Sequence, residues 1–481
     1  MWSKVGHWTP VNHTKGESVI NRTRLISVIL VCVMVFALVP MSASADDASV
    51  IEYGIIRDNG SYLPWRLYDD GTLMVDGGNI NWTIGGTRFG SPWSHLEDEE
   101  LEDEYLEATR ITRIIFTEEV TAVESLAGLF RFMSNVTSIE GLHYIDTSKV
   151  TNMNFMFANA RSLTDLDLSS WDTSNVTDMN NMFCNTSGLT SLDLSNWDTS
   201  SLTNASEMFS FALNLRTLDL SSWNTENLQN MERMFFSMWS LASLDLSHFN
   251  TSNVTNMQDL FLDTPNLTNL NLSGWNTSKV TDMRWMFSST GLRSLDLSDW
   301  DTSNVKDMSG MFAYTNQLTD LNLSHWNTSN VTDMNWMFAY SAVRNLNLHH
   351  LDTSNVTDMS GMFYNASSLT NLDLSGWNTS NVENMAWMFE ETNPLLQLAL
   401  GENFELSDNT GLQLGCAVPT LFIAAWFDNN TDGAERLTGA KIFNTTTNIL
   451  NERIVYYVRP SGDFAGARIM IWCRDTLSPL N

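Results

Sequence analysis

The side chains able to do chemistry in this 481-residue chain are few, and they recur in columns instead of clustering. Eight histidines include only His349 and His350 as neighbours. No Ser, His and Asp set and no His-Glu-x-x-His spacing emerges, so an enzyme within the repeated part of the chain is not expected. Of the four cysteines, Cys32 lies in an apolar leader and Cys184 stands alone, while Cys416 and Cys473 could pair in an oxidising compartment. None has metal-ligand spacing. What does recur is a file of carboxylates, Asp167, Asp193, Asp219, Asp245, Asp296 and Asp373, interrupted by Asn271, Asn322 and Asn347. A sparser aromatic series, Phe155, Trp285, Trp336 and Trp387, falls between paired methionines. Carboxylates and exposed rings at such intervals suit recognition of a partner surface, not catalysis. Like charges stacked side by side repel. Screening by solvent and neighbouring serines is the first expected remedy, and weak Ca²⁺ binding the second, because the spacing supplies carboxylates without a shaped ligand loop. No cofactor is expected.

These columns exist because the chain repeats. One sentence, LTDLDLSSWDTSNVTDMNNMFCNTSG at residues 163–188, returns with small changes. Phe157, Phe183, Phe209, Phe235, Phe261, Phe287, Phe312, Phe338, Phe363 and Phe389 follow one another at 26 residues, with two steps of 25, which marks ten turns. The shorter steps lose a residue between Phe and the next Leu or Val, so that segment is the closing loop.

Within one turn, Leu163, Leu166 and Leu168 follow a period of two towards their end, the pattern of a strand with one face inward. A turn at Asp172-Thr173 comes next. Val176, Met179, Met182 and Phe183 then fall at i, i+3, i+6 and i+7, the spacing of one face of a short helix capped by Ser174 or Asn175. Each turn is therefore expected to run strand, turn, short helix, loop. Stacking ten of them at about 4.8 Å gives a parallel sheet roughly 50 Å long. The fold class is α/β, a leucine-rich-repeat-like solenoid with atypical N- and C-terminal caps.

The bulky column Trp171, Trp197, Trp223, Phe249, Trp275, Trp300, Trp326, Leu351 and Trp377 reads as core, because Phe249 and Leu351 replace Trp within the same chain. The Met and Phe columns are core by the same logic. Thr173 and its equivalents recur because a hydroxyl satisfies a backbone group at the turn.

The flanks differ. Arg22 and Arg24 precede an apolar run ending near Pro40, and Ala43-Ser44-Ala45 supplies small residues before Asp46, so residues 1–45 read as a secretory signal peptide cut near Ala45. The apolar run is shorter than the roughly 20 residues of a span, and no membrane span is expected after cleavage. Removing four basic residues and one acidic residue with the leader takes the formal charge from −31 to −34. That acidity argues against nucleic acid as a partner. Residues 46–118 form a β-rich cap in which 65–68 and 72–75 read as a hairpin about Asp69-Asp70-Gly71. Residues 111–116 form a degenerate first strand, and 119–400 carry the solenoid. Residues 401–481 break the period, with 455–458 and 468–472 as strands of a C-terminal cap or small module.

The pattern Leu-x-x-Leu-x-Leu of residues 163–168 together with the recurring DTSNVTDMxxMF resembles the BspA-like leucine-rich repeat surface proteins of bacteria, over about residues 136–400. The resemblance implies a secreted or surface-associated, adhesin-like binding protein without catalytic residues. Its partner would be an extracellular protein or glycan of a host or neighbouring cell. A structural or cohesion role through self-association is the alternative, and a hydrolase carried by a flanking region is a third reading.

Overall fold

The computed structural model describes residues 48–84, 90–93, 110–392, 397–401, 403–404, 426–427, 452–458 and 468–473. The chain divides into Met1–Ala48 and Ser49–Asn481, and all elements below belong to the second unit. The signal-peptide reading and Cys416 lie outside the described residues.

The chain opens on β1 (Val50–Ile56), β2 (Leu63–Tyr68) and β3 (Thr72–Val75), paired antiparallel in sequence. The β2–β3 turn is the expected Asp-Gly hairpin: the Thr72 N–H donates to the Asp70 carboxylate and Gly71 takes φ 84°. From β3 the pairing becomes parallel, to β5 (Arg113–Phe116) and on to β7 (Ser138–Glu140). A second parallel set joins β4 (Gly78–Trp82), β6 (Val120–Leu126) and β8 (Ile145–Asp146). Two ladders thus hand over to the repeats, one on each side of the coil.

The continuous ten-turn sheet expected on the strand side does not form: residues 163–168, 189–194 and 215–220 are not strands, and from residue 243 the ladder comes in short pieces. Strands β9 (Ser243–Asp245) and β10 (Asn269–Asn271) pair in parallel, as do β11 (Ser294–Asp296) and β12 (Asp320–Asn322). Strand β13 (Asn345–Asn347) starts a longer run through β14 (Asn371–Leu374) and β15 (Gln397–Leu400). Beyond them, β16 (Trp426–Phe427), β17 (Glu452–Val458) and β18 (Arg468–Cys473) close the same sheet. The unbroken ladder lies on the other side, where parallel bridges link Ser125, Asn152, Asp178, Asn204, Asn230, Asn256, Asp282, Asp307, Asp333, Asp358 and Asn384 in turn.

That other side was expected to be helical, and it is not: no α-helix occurs among the described residues. The segment from Met179 to Thr186 is a run of tight turns. The N–H groups of Met179, Asn181, Phe183 and Asn185 donate to carbonyls of the next coil, Asn204, Ser206, Met208 and Ser210. Those of Met182, Cys184 and Thr186 donate three residues back. Backbone donors are therefore shared alternately between neighbouring coils and the coil itself. The reason is partly local, since Asn, Val, Thr and Asp are weak helix formers and a segment this short is not helical by itself. It is partly cooperative, because each coil satisfies its neighbour's backbone and no isolated element has to. The 3.6-residue spacing correctly marked which side chains are buried but not the backbone that buries them.

A single apolar core runs from Ile56 to Phe404. The Phe rings stack coil on coil from Phe130–Phe157 at 5.3 Å to Phe363–Phe389 at 5.5 Å. The Trp column is buried, as expected, and several of its indoles donate to a carbonyl of the preceding coil: Trp171 to Leu142, Trp275 to Leu246, Trp326 to Leu297 and Trp377 to Leu348. Where Phe249 and Leu351 remove that donor, the residue before them restores the bond. His248 Nε2 lies 2.7 Å from the Leu220 carbonyl and His350 Nε2 lies 3.0 Å from that of Leu323. Two of the eight histidines are thereby structural.

The threonine column also spans coils. Thr302 Oγ1 donates to the Asn327 carbonyl at 2.9 Å and accepts the Asn327 N–H at 2.9 Å, and Thr173 donates to the Asp198 carbonyl. The expected hydroxyl-to-backbone bond exists, but it staples one coil to the next instead of closing its own turn.

Candidate functional site

The two candidate columns lie on different sides of the coil. Asp167, Asp193, Asp219, Asp245, Asp296 and Asp373 belong to the strand side, where Asp245, Asp296 and Asp373 fall within β9, β11 and β14. Each of the six accepts the N–H of the serine two residues on, as Asp167 does from Ser169 at 3.1 Å. Ser169 adds its hydroxyl at 2.6 Å. The hydroxyl and N–H of Ser169 hold the Asp167 carboxyl below the usual carboxylate range, and the same serine bonds lower Asp193, Asp219, Asp245 and Asp296. Neighbouring carboxylates act on Asp193 in the opposite direction but lose to the serine. Where strands form, the file sets Asp beside Asn, Asp245 with Asn271, Asp296 with Asn322 and Asp373 with Asn347. Serine is the leading influence on Asp167, Asp193, Asp219, Asp245 and Asp296.

The aromatic candidates sit on the turn side, in a column the backbone defines by its sign of φ. Phe155, Trp285, Trp336 and Trp387 take φ of 55°, 55°, 57° and 60°. Asn181, Glu207, Arg233 and Asp259 occupy the same column at positive φ, as do Gly310 and Gly361. A second left-handed position follows four residues on and carries Phe211, Tyr314 and Tyr340 in three coils. Every coil needs a left-handed residue here, and Asn or Gly meets that need with less strain than an aromatic side chain. The helical placement expected for these rings is therefore corrected: they project from turns.

Trp285, Trp336 and Trp387 alternate with glycine. A Cβ on Gly310 would lie 2.3 Å from the Trp285 indole, and one on Gly361 2.9 Å from that of Trp336, so each ring lies down over the glycine of the next coil. Of the four rings expected in the open only Trp387 is exposed, at 51%, while Phe155, Trp285 and Trp336 are partly buried because they lie against the neighbouring coil. Tyr314 stacks on Tyr340 at 4.7 Å, and Tyr364 meets both Tyr340 and Trp336. Tyr314, Tyr340, Tyr364 and Trp336 thus form one cluster of rings on the C-terminal coils. Trp336 belongs to it and Trp285 and Trp387 hold the same column in coils on either side, whereas Phe155 lies five coils before Trp285 and is covered by the Arg131 guanidinium at 4.4 Å. Tyr314, Tyr340 and Tyr364 were missed in the sequence because they occupy the variable closing loop. Tyr314 and Tyr340 each stand two residues after Phe312 and Phe338, and that recurrence was the available signal, whereas Tyr364 directly follows Phe363 and had none.

A second acidic column lies on the turn side. Asp178, Asp282, Asp307, Asp333 and Asp358 lie on the unbroken ladder, half-buried, each accepting the N–H two residues on. Burial pushes the Asp333 carboxyl up, and Asp307 and Asp358 on either side add to it. Asp282 is raised by burial too, against the pull of Arg284, whose Nη2 lies 2.8 Å away.

Cys184 is half-buried, and its thiol is pushed up to about 12, chiefly by desolvation with Glu207 adding to it. It is not a nucleophile at neutral pH. Among the described residues no helix is long and apolar enough to cross a membrane.

No curated protein matches the chain. Among solved structures, a leucine-rich repeat protein from Eubacterium ventriosum aligns at 15% identity, covering 72% of this chain and 87% of that one, with a TM-score of 0.32. The family described as "Mycoplasma protein of unknown function, DUF285" matches over residues 124–243, 231–322 and 290–402, more than half of the chain and nearly all of its coils, and the chain belongs to that family.

Proposed function

We propose that the protein is a secreted or surface-associated binding protein that recognises an extracellular macromolecule through the turn side of its coils. One observation carries this reading. The chain places Trp285, Trp336 and Trp387 at left-handed positions where Asn181, Gly310 and Gly361 meet the backbone need with less strain, and it leaves Trp387 half exposed. Large rings held at such positions, with Tyr314, Tyr340 and Tyr364 packed on one another and on Trp336, form the kind of aromatic surface that anchors partners. The likeness of the repeat to BspA-like surface proteins and the leader-like residues 1–45 support a site of action outside the cell.

Binding of the full chain to immobilised extracellular-matrix protein tests the reading. Trp336→Asn with Trp387→Asn should weaken capture strongly, since Asn already serves this column at Asn181. Replacing Asp193 and Asp219 on the strand side by Asn should leave it nearly intact. Retention by the tryptophan variant together with loss by the aspartate variant would move the binding surface to the strands.

A further inference from the structure

The turn side changes character along the stack. In its first part, basic side chains of the chain itself meet the rings and carboxylates. Arg131 lies over Phe132 and Phe155, at 4.7 and 4.4 Å. Arg233 Nε pairs with the Asp259 carboxylate at 2.8 Å, and Arg284 reaches Asp282 at 2.8 Å and Asp307 at 3.9 Å. In the last coils that supply ends. The turn segments 331–342, 356–367 and 382–392 contain no Lys, Arg or His, yet carry Asp333, Asp358, Glu383, Glu390 and Glu391 beside Trp336 and Trp387. Among the described residues no ion pair reaches Asp333. Its raised carboxyl, half-buried between Asp307 and Asp358, marks a charge that a cation would relieve.

Resting on the proposed function, we propose that this C-terminal stretch of the turn side binds an extended, arginine-bearing segment of its partner protein. Guanidinium groups lie over Trp336 and Trp387 and meet the carboxylates of Asp333 and Asp358. The occupant follows from charge complementarity and from the chain's own example, in which a guanidinium covers Phe155 in the same column as these tryptophans. Arginine fits better than lysine because its planar, weakly hydrated fork stacks on a ring while its N–H groups reach carboxylates. A neutral glycan would use the rings but leave the half-buried carboxylates unmatched.

Fluorescence anisotropy of a labelled peptide alternating arginine with serine, titrated with the full chain, tests this. Trp336→Asn with Trp387→Asn leaves the net charge unchanged, so a loss of about tenfold in affinity reports the rings and not the overall field. Asp193→Asn with Asp219→Asn, which removes two charges from the other side, should change affinity by less than about twofold. Trp336→Phe with Trp387→Phe should retain most of the binding, and it serves with Asp333→Asn and Asp358→Asn if the Asn pair does not fold. Equal affinity in parent and Asn pair would overturn the proposal as bulk electrostatics, and so would tryptophan-dependent binding of a β-linked oligosaccharide with none of the peptide. Matrix-protein binding that depends on the tryptophans without any affinity for the peptide would overturn this inference and leave the proposed function standing. Loss of neither would overturn both.

Discussion

Asp193 on the strand side and Asp333 on the turn side share one local device and come out opposite. On the strand side Asp193 accepts the Ser195 N–H, and on the turn side Asp333 accepts the Asn335 N–H, each two residues on. The first carboxyl is lowered and the second raised. The difference is the serine hydroxyl on one side and the loss of solvent on the other. Asp193 is open to water, so hydrogen bonds decide its charge, whereas Asp333 sits half-buried on the continuous ladder, where desolvation outweighs the same bond. A hydrogen-bond motif read from sequence therefore does not give the sign of its electrostatics. Burial of the particular carboxylate does.

The core that both sides share sets the scale of effects. Phe287 stacks between Phe261 at 5.7 Å and Phe312 at 5.8 Å and is fully buried. Phe287→Ala should cost about 3–5 kcal/mol in urea unfolding. A loss under about 1 kcal/mol would mean that the coils repack without the ring column.

Next in size is the staple between coils. Thr302→Val keeps the shape but orphans both the carbonyl and the N–H of Asn327, and should lower stability by about 1–3 kcal/mol. An unchanged urea midpoint would show that water takes over both groups.

On the turn side, Gly310→Ala forces a Cβ into the Trp285 indole at a φ of 60°, and a loss of about 1 kcal/mol is expected. Adding Trp285→Asn should recover part of it. A double variant no more stable than the single one would separate the ring from the glycine beneath it.

The smallest effect tests the comparison itself. Asp333 has its folded pKa raised, so its favourable contribution is present at low pH and is lost as pH rises through that raised value. Asp333→Asn should therefore raise stability at neutral pH, by about 0.2–1 kcal/mol, and the gain should vanish in acid. Asp193, with its pKa lowered, contributes above its unfolded value and loses that contribution as pH falls through the folded one. Asp193→Asn should accordingly lower the melting temperature slightly at neutral pH. Curves of the same sign for the two variants would erase the distinction between the sides.

Much of this was legible in the repeat. Phe287, Met286 and Trp300 announced burial because a column that tolerates only bulky apolar residues over ten turns has no other use. The Asp-Gly hairpin before β3, the strands near 111–116 and the alternation of Trp285, Trp336 and Trp387 followed from local chemistry and period. What spacing could not supply was the backbone of the second half of each coil. Positions i, i+3, i+6 and i+7 face one way on a helix, and they also face one way on a run of left-handed turns, because side-chain direction alone does not reveal where backbone N–H groups donate. That choice was made between coils, where Met179, Asn181, Phe183 and Asn185 donate to the neighbour. The same inter-coil contact decided what sequence left open about charge and surface: it half-buried Asp333, laid Trp285 over Gly310, and brought Tyr364 beside both Trp336 and Tyr340. Local sequence fixes what each residue can bond to and how much it gains from burial, and only the stacking of one coil on the next decides which of those groups keeps its water.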